Sequence, residues 1–258
     1  MNTKTLSPRA SSVIDQYLHF KVGNAVCSVP YFNNKTVKAR AALRAVIGKG
    51  SPKDIHDEVQ AIIVKQHISA DLLTDISLKK LLVDSGMGLD CSAFAYYVLN
   101  AENEERGLGK LEKHLSFVNC HGLVGKIRCS LRPVENCDVA TLSDDRNSRT
   151  VDLKDAQPGD VITMVGDSEE SERDHILVIH QVEYQNFAAV KIHYSHTVAY
   201  PEDGMYGSGV KQGEIELVGP TKPLIDQIWK EDGSQEGATR IFNRAKISKT
   251  ELRRLQTF

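Results

Sequence analysis

Apolar positions along the chain recur with helical spacing over roughly the first 120 residues and fall into short β-branched runs after about residue 157. Ser7-Pro8 supplies a helix cap and a first-turn proline, followed by a stripe at Val13, Tyr17, Leu18 and Phe20 that a turn at Gly23-Asn24 ends. The spacing predicts further helices over 36–47 (Val37, Ala41, Ala42, Ala45, Val46, stopping at Gly48), from Ser51-Pro52 onward (Ile55, Val59, Ile62, Ile63), and over 78–83, 90–99 and 111–117. Strands are predicted at 161–165, 176–182, 188–194 and 215–218, and loops at 143–148 and at the acidic stretch 166–172. The chain between these strands is too short for crossover helices. The expected fold class is therefore α+β, with N-terminal helices packed on a mostly antiparallel sheet.

Composition narrows this picture. The chain has 258 residues, 41% of them hydrophobic, which suffices for a proper core; it is read as one domain over 1–258. Its 32 basic and 34 acidic side chains leave a net charge of −2, which gives no general affinity for nucleic acid or a membrane surface; any such binding must be local. The longest apolar run, 93–99, falls far short of the roughly 20 residues a bilayer span needs. No secretory apolar segment follows Met1, so a cytoplasmic location is the expectation. Five cysteines at irregular spacing point to reduced thiols rather than a disulfide framework. Phosphate-loop, dinucleotide, His-Glu-x-x-His and Cys-x-x-Cys patterns are missing, so neither a cofactor nor a metal is expected.

The segment Gly88-Leu89-Asp90-Cys91-Ser92-Ala93-Phe94 carries the candidate chemistry. A cysteine in the first turn of a helix lies among unpaired N–H groups and at the positive end of the helix dipole, both of which favour a thiolate. The Cys91 N–H is also a candidate oxyanion donor. A thiol nucleophile needs a base, and the strand region offers His175, His180, His193 and His196. His175 opens its strand beside a polar loop, whereas His180 sits on the opposite strand face. His193, on the neighbouring strand, is expected to bond the second ring nitrogen of His175, with His196 close enough to compete.

Asp90-Cys91-Ser92 before an aromatic-rich helix, Gln157-Pro158-Gly159-Asp160-Val161 leading into a strand, Asp174-His175, and Ile192-His193-Tyr194-Ser195 together resemble the NlpC-type cysteine peptidases of bacterial cell walls. Val29-Pro30-Tyr31 is similar to the Pro-Tyr element of that family. The resemblance covers about residues 8–32 and 88–220, with helical insertions at about 33–87 and 103–150, and Ala93 stands where the family usually has glycine. It implies a papain-like fold, Cys91 as nucleophile, His175 as general base and His193 as its orienting partner. It further implies that Asp90 and Ser92 line the substrate cleft, that Tyr31 helps hold the oxyanion, and that the substrate is a peptide or peptidoglycan fragment.

The expected activity is that of a cysteine peptidase or amidase working through a thioester. An acyltransferase or other amidase on the same scaffold, and a non-catalytic binding protein, are the alternatives. Since cell wall lies outside the cytoplasm, the resemblance requires either turnover of wall fragments inside the cell or export without a cleaved signal. The Glu169, Glu170 and Glu172 carboxylates before His175 are expected to hold an imidazolium protonated to higher pH. Cys120-His121, Cys129 and Cys137 match no paired zinc spacing and are read as ordinary thiols. Arg240, Arg244, Lys246, Lys249, Arg253 and Arg254 are read as a solvated basic surface.

Overall fold

A computed structural model describes residues 2–33, 43–166, 174–219, 221–232 and 240–258. Its centre is an antiparallel sheet built from β4 (Ser148–Thr150), β5 (Val161–Val165), β6 (His175–Gln185), β7 (Ala188–Val198), β8 (Gly209–Glu216), β9 (Ile228–Glu231) and β10 (Lys249–Leu255). The strands lie in the order β4-β10-β5-β6-β7-β8-β9, and the N-terminal strand β1 (Asn2–Thr5) pairs with the far half of β6, beyond the reach of β5. A separate hairpin joins β2 (Phe20–Val22) to β3 (Ala25–Cys27). The strand order needs no crossover helix between β5 and β8, as the short connections require. The fold is α+β.

Helices α1 (Pro8–Leu18), α2 (Pro52–Lys65), α3 (Asp75–Asp84) and α4 (Cys91–Glu105) gather on one face of the sheet. Ile14, Ile55, Val59, Leu78, Leu82, Phe94 and Leu99 meet Ile176 and Val178 there in one buried cluster. The helices of the 33–87 segment therefore belong to the same core as α1 and α4. Helix α4 is buried along most of its length, so its sequence is apolar nearly all round rather than striped. Short helices α5 (Gly122–Leu131), α6 (Pro133–Asn136) and α7 (Val139–Ser143) fill the segment before β4. On the other face, Leu177, Ile179, Tyr194, Ile215 and Trp229 pack with Ile241 and Ala245 of α8 (Arg240–Lys246). Cover on both faces explains why the first half of β6 reads as an unbroken apolar run.

Several expectations are corrected. Of the helix predicted over 36–47, residues 36–42 lie outside the described residues and Arg44–Ile47 is a 3₁₀ turn that Gly48 closes in a left-handed conformation. The 111–117 stretch keeps only the 3₁₀ turn Leu111–Lys113. Most of the acidic loop, including Glu169, Glu170 and Glu172, lies outside the described residues. Cys120 and Cys129 form a disulfide rather than two reduced thiols, while Cys27, Cys91 and Cys137 are free. Among the described residues no helix is long and apolar enough to cross a membrane.

Candidate active site

Helix α4 starts at Cys91 because Asp90 caps it: a carboxylate oxygen of Asp90 accepts the Ala93 N–H at 2.8 Å and the Ser92 hydroxyl at 2.8 Å. The buried Lys49 ammonium holds this cap, donating to both Asp90 oxygens at 3.1 and 3.0 Å, to Ser92 Oγ at 2.8 Å and to the Cys137 carbonyl at 3.1 Å. Asp90 and Ser92 are thus turned toward Lys49 and anchor the helix. The Cys91 and Ser92 amides, as the first of the helix, have no carbonyl within it to bond. Gly88 lets the chain approach closely, since a side chain there would meet the Pro30 carbonyl at 2.4 Å. The Leu89 N–H donates to that carbonyl and the Phe32 N–H to the Leu89 carbonyl, so Tyr31 runs alongside Leu89 and arrives beside Cys91.

The backbone of Ile176, the residue that follows His175 at the start of β6, lies beside the Cys91 thiol and acts to lower its pKa. His175 is buried, and its Nε2 lies 2.8 Å from Nδ1 of His196 on β7, the rings meeting edge to face. Nε2 of His196 lies 2.7 Å from Oε1 of Glu231 at the end of β9, and the Tyr200 hydroxyl donates to the same oxygen at 2.9 Å. These contacts fix the protons. A carboxylate can only accept, so His196 carries its proton on Nε2 and presents Nδ1 as acceptor; His175 then donates from Nε2 and keeps a lone pair on Nδ1. Nδ1 of His175 is the ring nitrogen left bare.

His193 is not part of this chain. Its Nε2 bonds Glu183 at 2.7 Å, and it pairs across the ladder with Gln181 and Glu214. The reason is strand parity: β7 runs on to Val198 rather than stopping at residue 194, and side chains alternate faces, so His196 shares the face of His175 while His193 points the other way with Ser195. His180 bonds Ser195 Oγ at 2.9 Å. Sequence reasoning missed Glu231. The signal was available in the alternation of Ile228-Trp229-Lys230-Glu231, which puts an acid at an inward position after an inward tryptophan, where burial demands a partner.

Burial governs the electrostatics. Cys91 is 6% exposed, and desolvation, reinforced by Asp90, pushes its thiol up to about 12 despite the lowering by Arg244, Lys49 and the Ile176 amide. Desolvation and the neighbouring His196 drive His175 well below the ordinary imidazole value. Both shifts run against the thiolate that the helix start favours. Arg244 of α8 acts on Cys91, His175 and Tyr31 alike, so a guanidinium assigned from sequence to a solvated surface belongs to this site. Its helix is held in place by Arg240, stacked 3.9 Å from the Tyr200 ring and paired with Asp203.

The Pro158-Gly159-Asp160 turn is structural: Asp160 is fully buried, takes two bonds from Arg254 of β10 at 2.7 and 2.9 Å, and accepts the Gln157 N–H. No group of side chains suited to a metal ion occurs among the described residues. Comparison of the chain with protein-family models, with curated proteins and with solved structures finds no match.

Proposed function

We propose that this protein is a papain-like cysteine hydrolase that cleaves an amide bond through a thioester. The observation that carries the reading is a helix-start thiol beside the backbone of Ile176 at the start of β6, the residue next in the chain to His175, whose imidazole heads the chain His175, His196 and Glu231. In the reaction, Cys91 sulfur attacks the carbonyl carbon while its proton passes to Nδ1 of His175. The tetrahedral oxyanion takes hydrogen bonds from the Cys91 N–H and from Tyr31, whose hydroxyl accepts from Asn33 at 3.2 Å and, pushed up to about 12 by burial, keeps its own proton to donate. Collapse expels the amine with the proton from His175. Water, deprotonated by the same nitrogen, then releases the acid from the thioester. His196 orients His175, and Glu231 orients His196.

The resemblance to NlpC-type peptidases supports a cell-wall-type peptide as substrate. An activated nitrophenyl ester tests the chemistry independently of that choice. Wild-type protein should carry an acyl group on Cys91, located by peptide mass spectrometry, and His175→Ala should lose it. Acylation of Cys91 no faster than that of Cys27 would sink the hydrolase and leave a binding protein. Release of the acyl group to added amines in preference to water would turn the reading into an acyltransferase. A panel of stem-type peptides then tests the substrate class.

A further inference from the structure

Helix α5 presents an apolar face to solvent: Leu123, Val124, Ile127 and Leu131 are 77%, 81%, 53% and 73% exposed. At 3.6 residues per turn these side chains fall within an arc of about 100°, so they form one stripe rather than scattered positions. Cys129 lies on the opposite side of the helix, is buried, and is tied by its disulfide to Cys120, so the helix is fastened to the protein by its back. Lys126 and Arg128 flank the stripe, one on each side, and Arg132 follows it; all three are exposed and form no ion pair among the described residues. No acidic residue occurs between Glu112 and Glu135. The chain as a whole carries a net charge of −2, so this is a local concentration of positive charge.

We propose that α5 lies on an anionic lipid surface, its apolar stripe in the acyl boundary and Lys126, Arg128 and Arg132 among the headgroups. An apolar stripe alone would fit a partner protein or a second copy equally well. The flanking cations decide for lipid, because a basic amphipathic helix matches a surface that is apolar below and negative above, and long basic side chains reach the headgroups while their stems stay in the boundary. The helix lies on the membrane and does not cross it; its ten residues are far too few to span. The inference is independent of the hydrolase reading.

Sedimentation of the full chain with vesicles tests it. Wild-type protein should partition onto phosphatidylcholine vesicles containing phosphatidylglycerol, and much less onto phosphatidylcholine alone or at high salt. Ile127→Asp and Val124→Asp should each lower partitioning at least about tenfold, and Lys126→Gln or Arg128→Gln about fivefold. Near-ultraviolet circular dichroism identical to wild type shows that these surface variants remain folded. The proposal is overturned if wild type stays in the supernatant with the anionic vesicles, or if Ile127→Asp binds them as well as wild type. A concentration-dependent dimer that Ile127→Asp dissolves, without vesicle binding, would assign the face to a second copy and overturn it as well.

Discussion

The ionisation of Cys91 before substrate arrives follows from burial and can be measured directly. Its thiol is pushed up to about 12, against about 8.5 for a free cysteine, a bias of about 5 kcal/mol against the thiolate. At pH 8 about one molecule in 10⁴ then carries a thiolate at this position, compared with about one in four for a free thiol. Iodoacetamide attacks the thiolate and gains nothing from an oxyanion hole, so it reports ground-state ionisation rather than catalytic power. The alkylation rate of Cys91, followed by peptide mass spectrometry between pH 6 and 10.5, should rise about tenfold per pH unit with no plateau. Cys27, less buried and pushed only to about 11, should react faster throughout. Arg244→Ala removes a charge that lowers the Cys91 value and should slow alkylation further. A plateau for Cys91 below pH 8 that disappears in His175→Ala would show a preformed ion pair and refute the burial argument, while leaving the nucleophile in place.

Removing the middle of the relay should cost activity without unfolding the protein: His196→Ala is expected to lower kcat about 10²–10³-fold with KM little changed, whereas His193→Ala, on the other sheet face, should stay within about twofold. Equal losses in steady-state assays of the two variants would contradict the parity argument. Lys49→Met strands the Asp90 carboxylate beside Ser92 and should lower unfolding free energy in urea by about 3 kcal/mol; a change below about 1 kcal/mol would show that Lys49 does not hold the cap. His180, pushed down to about 4 by burial and His193, stays neutral in the folded chain while the unfolded chain protonates near 6.5. Its contribution is therefore present above about pH 6.5 and lost as pH falls toward 4. Between pH 7.5 and 5 wild type should lose about 2 kcal/mol more stability than His180→Gln, measured by denaturant titration at both pH values.

The α+β class was legible in the sequence because the switch of apolar period survives folding: the β5 run matches residue for residue, and α4 starts at the cysteine that the capping residue Asp90 marks. What could not be read were features set by strand ends and by distant chain. A β7 that stops at residue 194 leaves the third role open between His193 and His196, since the further alternation to Val198 decides which histidine faces His175. The anchoring role of Asp90 and Ser92 is not legible in the sequence because their partner, Lys49, comes from a segment read as an insertion. Cys120 and Cys129 gave no recognised spacing, yet the turn before α5 brings them together. The helix start favours a thiolate through its unpaired N–H groups and its dipole; the opposing effect of burial appears only once the packing is known.

These corrections act together on the mechanism. In the proposed reaction a thiol and an imidazole that are both neutral at rest would exchange a proton as the carbon–sulfur bond forms, and that exchange needs a bare nitrogen on His175. Which nitrogen is bare is set at the carboxylate of Glu231, two hydrogen bonds from His175, and is passed along because each imidazole has one donor and one acceptor. The low-dielectric surroundings that disfavour charge on His175 strengthen each link of this chain. Glu231→Gln retains an acceptor oxygen but also offers an amide donor, so His196 can take either tautomer, and the fraction of His175 with a bare Nδ1 falls. Activity should therefore drop in Glu231→Gln although no group near the sulfur has changed. Nitrogen-15 chemical shifts of the His175 ring should show the mixed tautomer, and a single Nε2-protonated form in that variant would break the link between the carboxylate and the nucleophile.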